Sequence, residues 1–422
     1  MKEEFLHYLW QYGKFAFSDL RTVQGESLQI LDTGSTLQQS GPDFFNARII
    51  LDNQKWAGNI EIHLKSSDWY QHHHEIDRHY DNVILHVVWE HDAGVYRRDN
   101  SEISVLELNQ YVSTDLVQQY ENLQIRKSWI NCENDIRSVP QFLMQNWSER
   151  LFFERLERKI QPINALLKET QNDWEATLFC LLAKNFGLNV NGEAFFKIAR
   201  SIPFSVIRKE SFDVQYLEAL FFGQAGFLKE DSQDNYMKEL KDLFDYLSIK
   251  YQLETDFHFM VEFFRLRPDN FPTIRLGQLA MLYHQQRNLF SKIITAKSLP
   301  EFYVLFDVSV SLYWEQHYNF EKSSKFKDKS LSKSFIDLLI INTVIPFKFA
   351  YDKFLGKDFS EDYISILQRI GPEKNTIISK FKECGIGAAN AFATQSLLQL
   401  KSTYCDKNRC LDCVVGIELL KN

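Results

Sequence analysis

The feature that most constrains this chain is a change of hydrophobic period about a quarter of the way along it. From about residue 27 to 112 the sequence runs in short β-type segments, SLQIL, FNARIIL, AGNIEIHLK, NVILHVVW and SVLELNQYV, separated by turn-rich DTGS, SGPD, LDNQKWAG and HDAG. A helical opening, EEFLHYLWQYGKF, precedes them. From residue 141 onward SERLFFERLERKIQPINALL, DWEATLFCLLAKNFG, QYLEALFFGQAGFL and YMKELKDLFDYLSIKY place apolar groups at three- and four-residue steps. Breaks fall at Gly187, Pro203, Gly223 to Gly226 and Pro268 to Pro272. Seven or more helices follow one another without a strand signal, and no fixed period argues for a solenoid. The pattern predicts an α+β chain: an α/β domain over 1–112, a connection over 113–140, and an α-helical domain over 141–422 that includes a C-terminal cysteine cluster.

Length and composition exclude other classes. The 422 residues are 45% hydrophobic and 25% charged, with 16 Gly and 9 Pro, which rules out collagen-like and disordered chains. The most apolar stretch, Phe335 to Phe347, is interrupted by Asp337 and Asn342 and is shorter than the roughly 20 residues a bilayer requires, so no membrane span is expected. The opening MKEEFLHYLW carries acids where a signal peptide carries cations, and a cytoplasmic protein is expected. The Lys-rich segment 321–333 is expected to be an exposed loop. Residues 1–110 hold 9 Lys+Arg and 17 Asp+Glu, which accounts for the whole net charge of −8. Seven of the 11 histidines lie between His63 and His91. Acids and imidazoles in one segment suit metal or proton chemistry.

The run SGPDFFNARIILDNQKWAGNIEIHLKSSDW reads as a β-hairpin turning at Asp52 to Lys55. Alternation along its second strand puts Ile60, Ile62 and Leu64 on one face and Glu61, His63 and Lys65 on the other. Three ionisable groups on one strand face either meet water or build a site. Asp43 precedes the first strand, so folding can bring it to Glu61, giving the oxygen ligands that Mg²⁺ or Mn²⁺ prefers. His63 or Lys65 can then orient or deprotonate a water. Further along, His72 and His74 lie about 200° apart on a helix and cannot share a metal unless the segment is extended, while His73 and Asp77 can share a helix face. Asp68 is placed to help cap that helix. His86, inside VILHVV, reads as a buried imidazole hydrogen-bonded to a neighbour. A di-metal hydrolase built on His and Asp is an alternative.

This arrangement resembles the PD-(D/E)xK nuclease superfamily, whose restriction-endonuclease-like core runs helix, strand, hairpin, helix, strand. The same order is expected here: helix 3–14, strand 27–31, hairpin 45–65, helix 67–78 and strand 82–89. The literal Pro42-Asp43 matches, but Glu61 is followed two positions on by His63, with Lys65 two further, where the superfamily has Lys. Over nearly the full length, the motifs SGPDFFNARI, WAGNIEIHLKSSDW, HYDNVILHVVWEHD, EALFFGQAGFL, RLRPDNFPTIRLGQLA and YCDKNRCLDCVVG resemble a bacterial family, common in Bacteroidetes, known as domain of unknown function 2851. That resemblance implies no mechanism.

At the C-terminus Cys405, Cys410 and Cys413 form C-x4-C-x2-C, a spacing at which thiolates grip Zn²⁺ or an Fe–S cluster, and Cys384 is the expected fourth ligand. Cys132 and Cys180 read as small core residues. Arg265, Arg267 and Arg275 around the Pro-Asn-Phe-Pro turn can bind phosphate or pair with the domain's own acids. Trp174 and Gly223 to Gly226 read as packing and close helix approach. The leading expectation is a metal-dependent nuclease acting on DNA or RNA, with Asp43 and Glu61 holding Mg or Mn. The acidity of the first 110 residues opposes it, since nucleic-acid binding calls for a basic track. A non-catalytic nuclease-like scaffold that binds other proteins is the alternative, and the oligomeric state is left open.

Overall fold

The computed structural model describes residues 1–36, 41–125, 129–230, 232–255, 261–357 and 361–421. Residues 126–128 of the expected connection lie outside them. The chain divides into two compact units, one of residues 1–147, 380–386 and 400–422, the other of 148–379 and 387–399. The C-terminal cysteines therefore belong with the sheet, whereas the sequence grouped them with the helices.

The sheet-bearing unit opens with helix α1 (Glu3–Gln11), whose Phe5, Leu6, Leu9 and Trp10 are buried. Strands β1 (Leu28–Asp32), β2 (Ser35–Thr36), β3 (Phe44–Leu51), β4 (Gln54–Lys65), β5 (Val83–Glu90) and β6 (Val105–Glu107) follow, with the four-residue helix α2 (Asp68–Gln71) between β4 and β5. The sheet order is β1-β3-β4-β5-β6, with β2 paired to β3. The β1/β3 and β3/β4 pairs are antiparallel, and β4/β5 and β5/β6 parallel. The hairpin turns at Asp52 and Asn53, with φ of 42° and 68°, the left-handed pair a tight primed turn requires and Asp/Asn tolerate. At Gly58 a Cβ would stand 2.4 Å from Ile84 Cγ2, so only glycine allows β4 and β5 this approach.

β5 is buried from Val83 to Val88, as a strand covered on both faces must be. On one side Phe5, Leu9 and Trp10 of α1 pack with Ile60, Ile62, Leu85 and Val87, and Leu420 from the C-terminal segment joins the same core. On the other, Trp69, Tyr80, Val88 and Val105 form a smaller cluster. The face of β4 carrying Glu61 and His63 is thus covered rather than solvated.

The second unit is a helical array around one large core. Trp174 packs on Phe347, Tyr351 and Phe354. A Cβ on Gly223 would lie 2.2 Å from the Phe244 ring, which bears out the close helix approach. Two corrections apply to the strand-free, looped expectation. His317–Asn319 and Lys322–Ser323 pair as a small hairpin, and Lys329, inside the segment expected to be exposed, is buried with its Nζ bonded to the carbonyls of Trp314 and His317. Arg275 forms no acid pair among the described residues: its Nη1 donates to Gln278 and its Nη2 to Asn270, at 2.8 and 2.5 Å. The run Lys333–Phe354 is continuous helix, longer than the sequence suggested and long and apolar enough to cross a membrane, but 72% of its most apolar window is buried. It reads as a core helix.

Candidate functional site

Register brings Asp43 to Glu61. Phe44 pairs with Ile60 across β3/β4, and a bulge follows between Phe44 and Ala47, where Asn46 takes φ 58°. The residue before Phe44 then meets the residue after Ile60. The Asp43 N–H donates to Glu61 Oε2 at 3.2 Å, and the Ile62 N–H donates to Asp43 Oδ2 at 3.0 Å. From α1, His7 places Nε2 3.2 Å from that same Asp43 Oδ2, with Glu3 one helical turn earlier at 3.8 Å.

The second half of the site depends on where α2 stops. The sequence suggested a helix through residue 78, but α2 ends at Gln71 because His73 adopts φ 61°. The His74 N–H reaches back to Trp69 O and the His73 N–H to Tyr70 O, a left-handed helix cap normally given to Gly or Asn. His72 and His74, on opposite sides of a continuing helix, are thereby brought together, with ring centroids 5.4 Å apart. His73 and Asp77 share no helix face. Asp68 accepts from the Lys65 N–H rather than capping α2.

His72 and His74 converge on β4. Donor nitrogens of His63, His72 and His74 all lie within 4.8 Å of one another. His63 Nε2 is 3.0 Å from His72 Nδ1 and 3.5 Å from Glu61 Oε1, and His74 Nε2 is 3.2 Å from the same Glu61 oxygen. Behind them His63 Nδ1 meets His86 Nε2 at 2.9 Å, as the sequence expected for His86. Tyr80 stacks on His74 at 3.7 Å. Glu61, His63 and His86 are 4%, 1% and 0% exposed, while His72 is exposed and opens the cluster to solvent.

Burial and crowding set the charges. Burial, reinforced by the charge of Asp43, pushes the Glu61 carboxyl up to about 9. Burial and the neighbouring imidazoles of His74 and His72 hold His63 down to about 3. His74 is lowered and His86 lowered well below the ordinary histidine value, both chiefly by burial. In His7 burial pulls down, but the hydrogen bond and charge of Asp43 prevail and raise it. His63, His74 and His86 are thus held towards the neutral imidazole, the form in which histidine binds metals. His74 Nε2 is buried without a hydrogen-bond partner.

Of the residues proposed from sequence, Asp43, Glu61 and His63 come together. Lys65 does not. Its Nζ lies 3.5 Å from Glu90 Oε2 with half the side chain exposed, at the end of the β4/β5 ladder where Lys65 pairs with Glu90. His7 carries no signal in the sequence, because nothing in a helix announces which strand it will face. His72 and His74 are visible in the sequence, but a helix continued to residue 78 would hold them on opposite sides.

Comparison with family models matches residues 3–376 to the family described as Protein of unknown function (DUF2851), and the chain belongs to that family. No curated protein and no solved structure matches it.

Proposed function

We propose that the sheet-bearing unit is a metal-dependent phosphodiesterase acting on nucleic acid in the cytoplasm, its core a variant of the PD-(D/E)xK arrangement. The supporting observation is the convergence of the donor nitrogens of His63, His72 and His74, with Glu61 against His63 and His74. Ligands held about 2.0–2.1 Å from one tetrahedral ion stand roughly 3.3 Å apart, and the separations of 3.0, 3.2 and 3.5 Å straddle that spacing. The unpartnered Nε2 of His74 fits a ligand. His86, accepting from His63 Nδ1–H, would fix the tautomer that leaves Nε2 free to bind. The element order α1, β1, the β3/β4 hairpin, α2 and β5 agrees with the nuclease-like core.

Three imidazoles and a carboxylate suit Mn²⁺ or Zn²⁺ better than Mg²⁺, which favours oxygen. A bound ion would supply Lewis acidity and lower the pKa of a coordinated water. His63, with both nitrogens engaged and its basicity suppressed, is a ligand rather than the base. Asp43 takes the base role: its side chain is 23% exposed, the Ile62 N–H fixes Oδ2, and His7 beside it can share and pass on the proton.

The test is a cleavage assay on single- and double-stranded DNA and RNA with Mn²⁺ or Zn²⁺, alongside calorimetric metal binding. Cleavage by the parent, loss of both properties in Glu61→Gln, and loss of cleavage alone in Asp43→Asn are expected. Undiminished cleavage in Glu61→Gln overturns the assignment. Metal binding without cleavage of any nucleic acid favours the scaffold reading.

A further inference from the structure

In the helical unit Arg267, Arg275, Lys327 and Lys329 line one cavity of about 530 Å³ together with Asp269 and Asp328, an excess of two positive charges. Both acids are already engaged. The two oxygens of Asp269 accept from Lys327 Nζ at 2.7 and 2.8 Å, and Asp328 accepts from the Ser309 hydroxyl at 2.7 Å. Arg275 and Lys329 are 6% and 3% exposed, and among the described residues neither is paired with an acid. Lys329 is met by the carbonyls of Trp314 and His317.

Arg275 is served less well than other buried cations of the unit. Lys348 spends all three of its N–H groups on carbonyls. A guanidinium has five N–H groups, and that of Arg275 uses two, on Gln278 and Asn270, while its Nε is buried with no partner. A buried charge so short of acceptors is costly until an anion joins it. Its orientation is nevertheless fixed. The Phe335 ring centroid lies 3.7 Å from Arg275 Cζ, and Gln278 is itself anchored by donating to Lys329 O at 2.7 Å. A planar fork held on an aromatic face is the form in which arginine grips phosphate or carboxylate. Charge favours phosphate, since a monoester carries about −1.5 to −2 at neutral pH on one group and so matches the excess of two, where a single carboxylate carries one. Size then favours an organic ester, because the volume falls within the roughly 300–1,000 Å³ of small-molecule sites. Leu188, Ser334 and Leu338 also line an adjoining cavity of about 1010 Å³, where Asn185, Asn342 and Asn375 offer amides to a polar ligand.

We propose that this cavity binds a small organic phosphate, with the phosphate against Arg275 and the polar body towards the amides of the adjoining cavity. The site lies wholly within the helical unit and does not rest on the activity proposed for the sheet-bearing unit. The test is calorimetric titration of the full chain, in metal-free buffer, with inorganic phosphate, AMP, glucose 6-phosphate and malonate, a dicarboxylate of similar charge. Inorganic phosphate is expected to bind the parent more tightly than malonate does, and AMP or glucose 6-phosphate at least about tenfold more tightly than inorganic phosphate; the tighter of the two tells a nucleotide from a sugar phosphate. Arg275→Lys keeps the charge without the fork and is expected to lose about tenfold or more in affinity. Because that side chain is buried, Arg267→Ala, a change at an exposed residue, carries equal weight and is expected to weaken binding several-fold while leaving the unfolding temperature of the ligand-free chain at the parent's. No binding of inorganic phosphate, neither ester binding more tightly than inorganic phosphate, malonate binding as tightly as the better ester, or parental affinity in both variants overturns the proposal.

Discussion

The two units bury ionisable groups in opposite ways. In the helical unit several are held by neutral partners. Lys348 Nζ donates to the carbonyls of Ile293, Ile294 and Ala296 at 2.9, 2.6 and 2.8 Å. Lys159 donates to Ile341 O, Asn342 Oδ1 and Gln395 Oε1, and Glu218 accepts from Tyr236 and Trp314. In the sheet-bearing unit the buried groups face one another: Glu61 meets His63 and His74, and His63 meets His72 and His86. The first pattern pins carbonyls that would otherwise be orphaned and needs nothing more. In the second each contact depends on a proton shared between titratable groups, and a cation can take such a proton's place.

The strongest way to break this contrast is to exchange one group of each kind. Glu61→Gln is expected to abolish Mn²⁺ and Zn²⁺ binding while the metal-free protein unfolds at nearly the parent's temperature, since Glu61 is held neutral. Lys348→Met is expected to leave metal binding intact but cost on the order of 3 kcal/mol in urea unfolding, because three carbonyls lose their donor. A Lys348→Met variant as stable as the parent would show that the helical unit's buried charges are not structural.

Much of this division was legible beforehand, and what escaped has identifiable causes. The change of period located the sheet and the helices because alternation and three-four spacing survive any tertiary context. Asp43 and Glu61 were found from hairpin register alone. His72 and His74 were lost because the signal that stops α2 is a left-handed histidine, where the usual signal is Gly or Asn.

Acidity separates the units less drastically. The Glu61 carboxyl, raised to about 9 from 4.5, contributes stability that is fully present below 4.5 and lost as pH rises through 9. His63, depressed to about 3 from 6.5, contributes stability present above 6.5 and lost as pH falls through 3. The metal-free sheet-bearing unit should therefore weaken towards both extremes. An ion takes the place of the Glu61 proton, so metal affinity should rise towards pH 9, binding should release a proton, and added Mn²⁺ should cancel the alkaline loss. Glu218, raised to about 7 by burial, gives the helical unit stability that is present below 4.5 and lost as pH rises through 7, and Mn²⁺ should not change that. Hydrogen exchange followed separately in the two units with and without Mn²⁺ reads both slopes. An alkaline loss in the sheet that Mn²⁺ leaves untouched would count against Glu61 as a ligand.

The smallest expected effect falls on the residue that the nuclease resemblance would rank highest. Strand alternation puts Lys65 on the face of Glu61 and His63, but two steps further along the parallel ladder its partner is Glu90. The two side chains are 50% and 55% exposed at a separation of 3.5 Å. Such a pair is worth at most about 1 kcal/mol and is screened by salt. Lys65→Ala should thus change stability by less than about 0.5 kcal/mol and leave metal binding and cleavage near the parent's, because Asp43 and His7 stand where the proton must go. Cleavage lost with metal binding retained would mean that Lys65 swings from Glu90 to the substrate. The site would then belong to the lysine-dependent pattern, and His7 would be reduced to a support for Asp43.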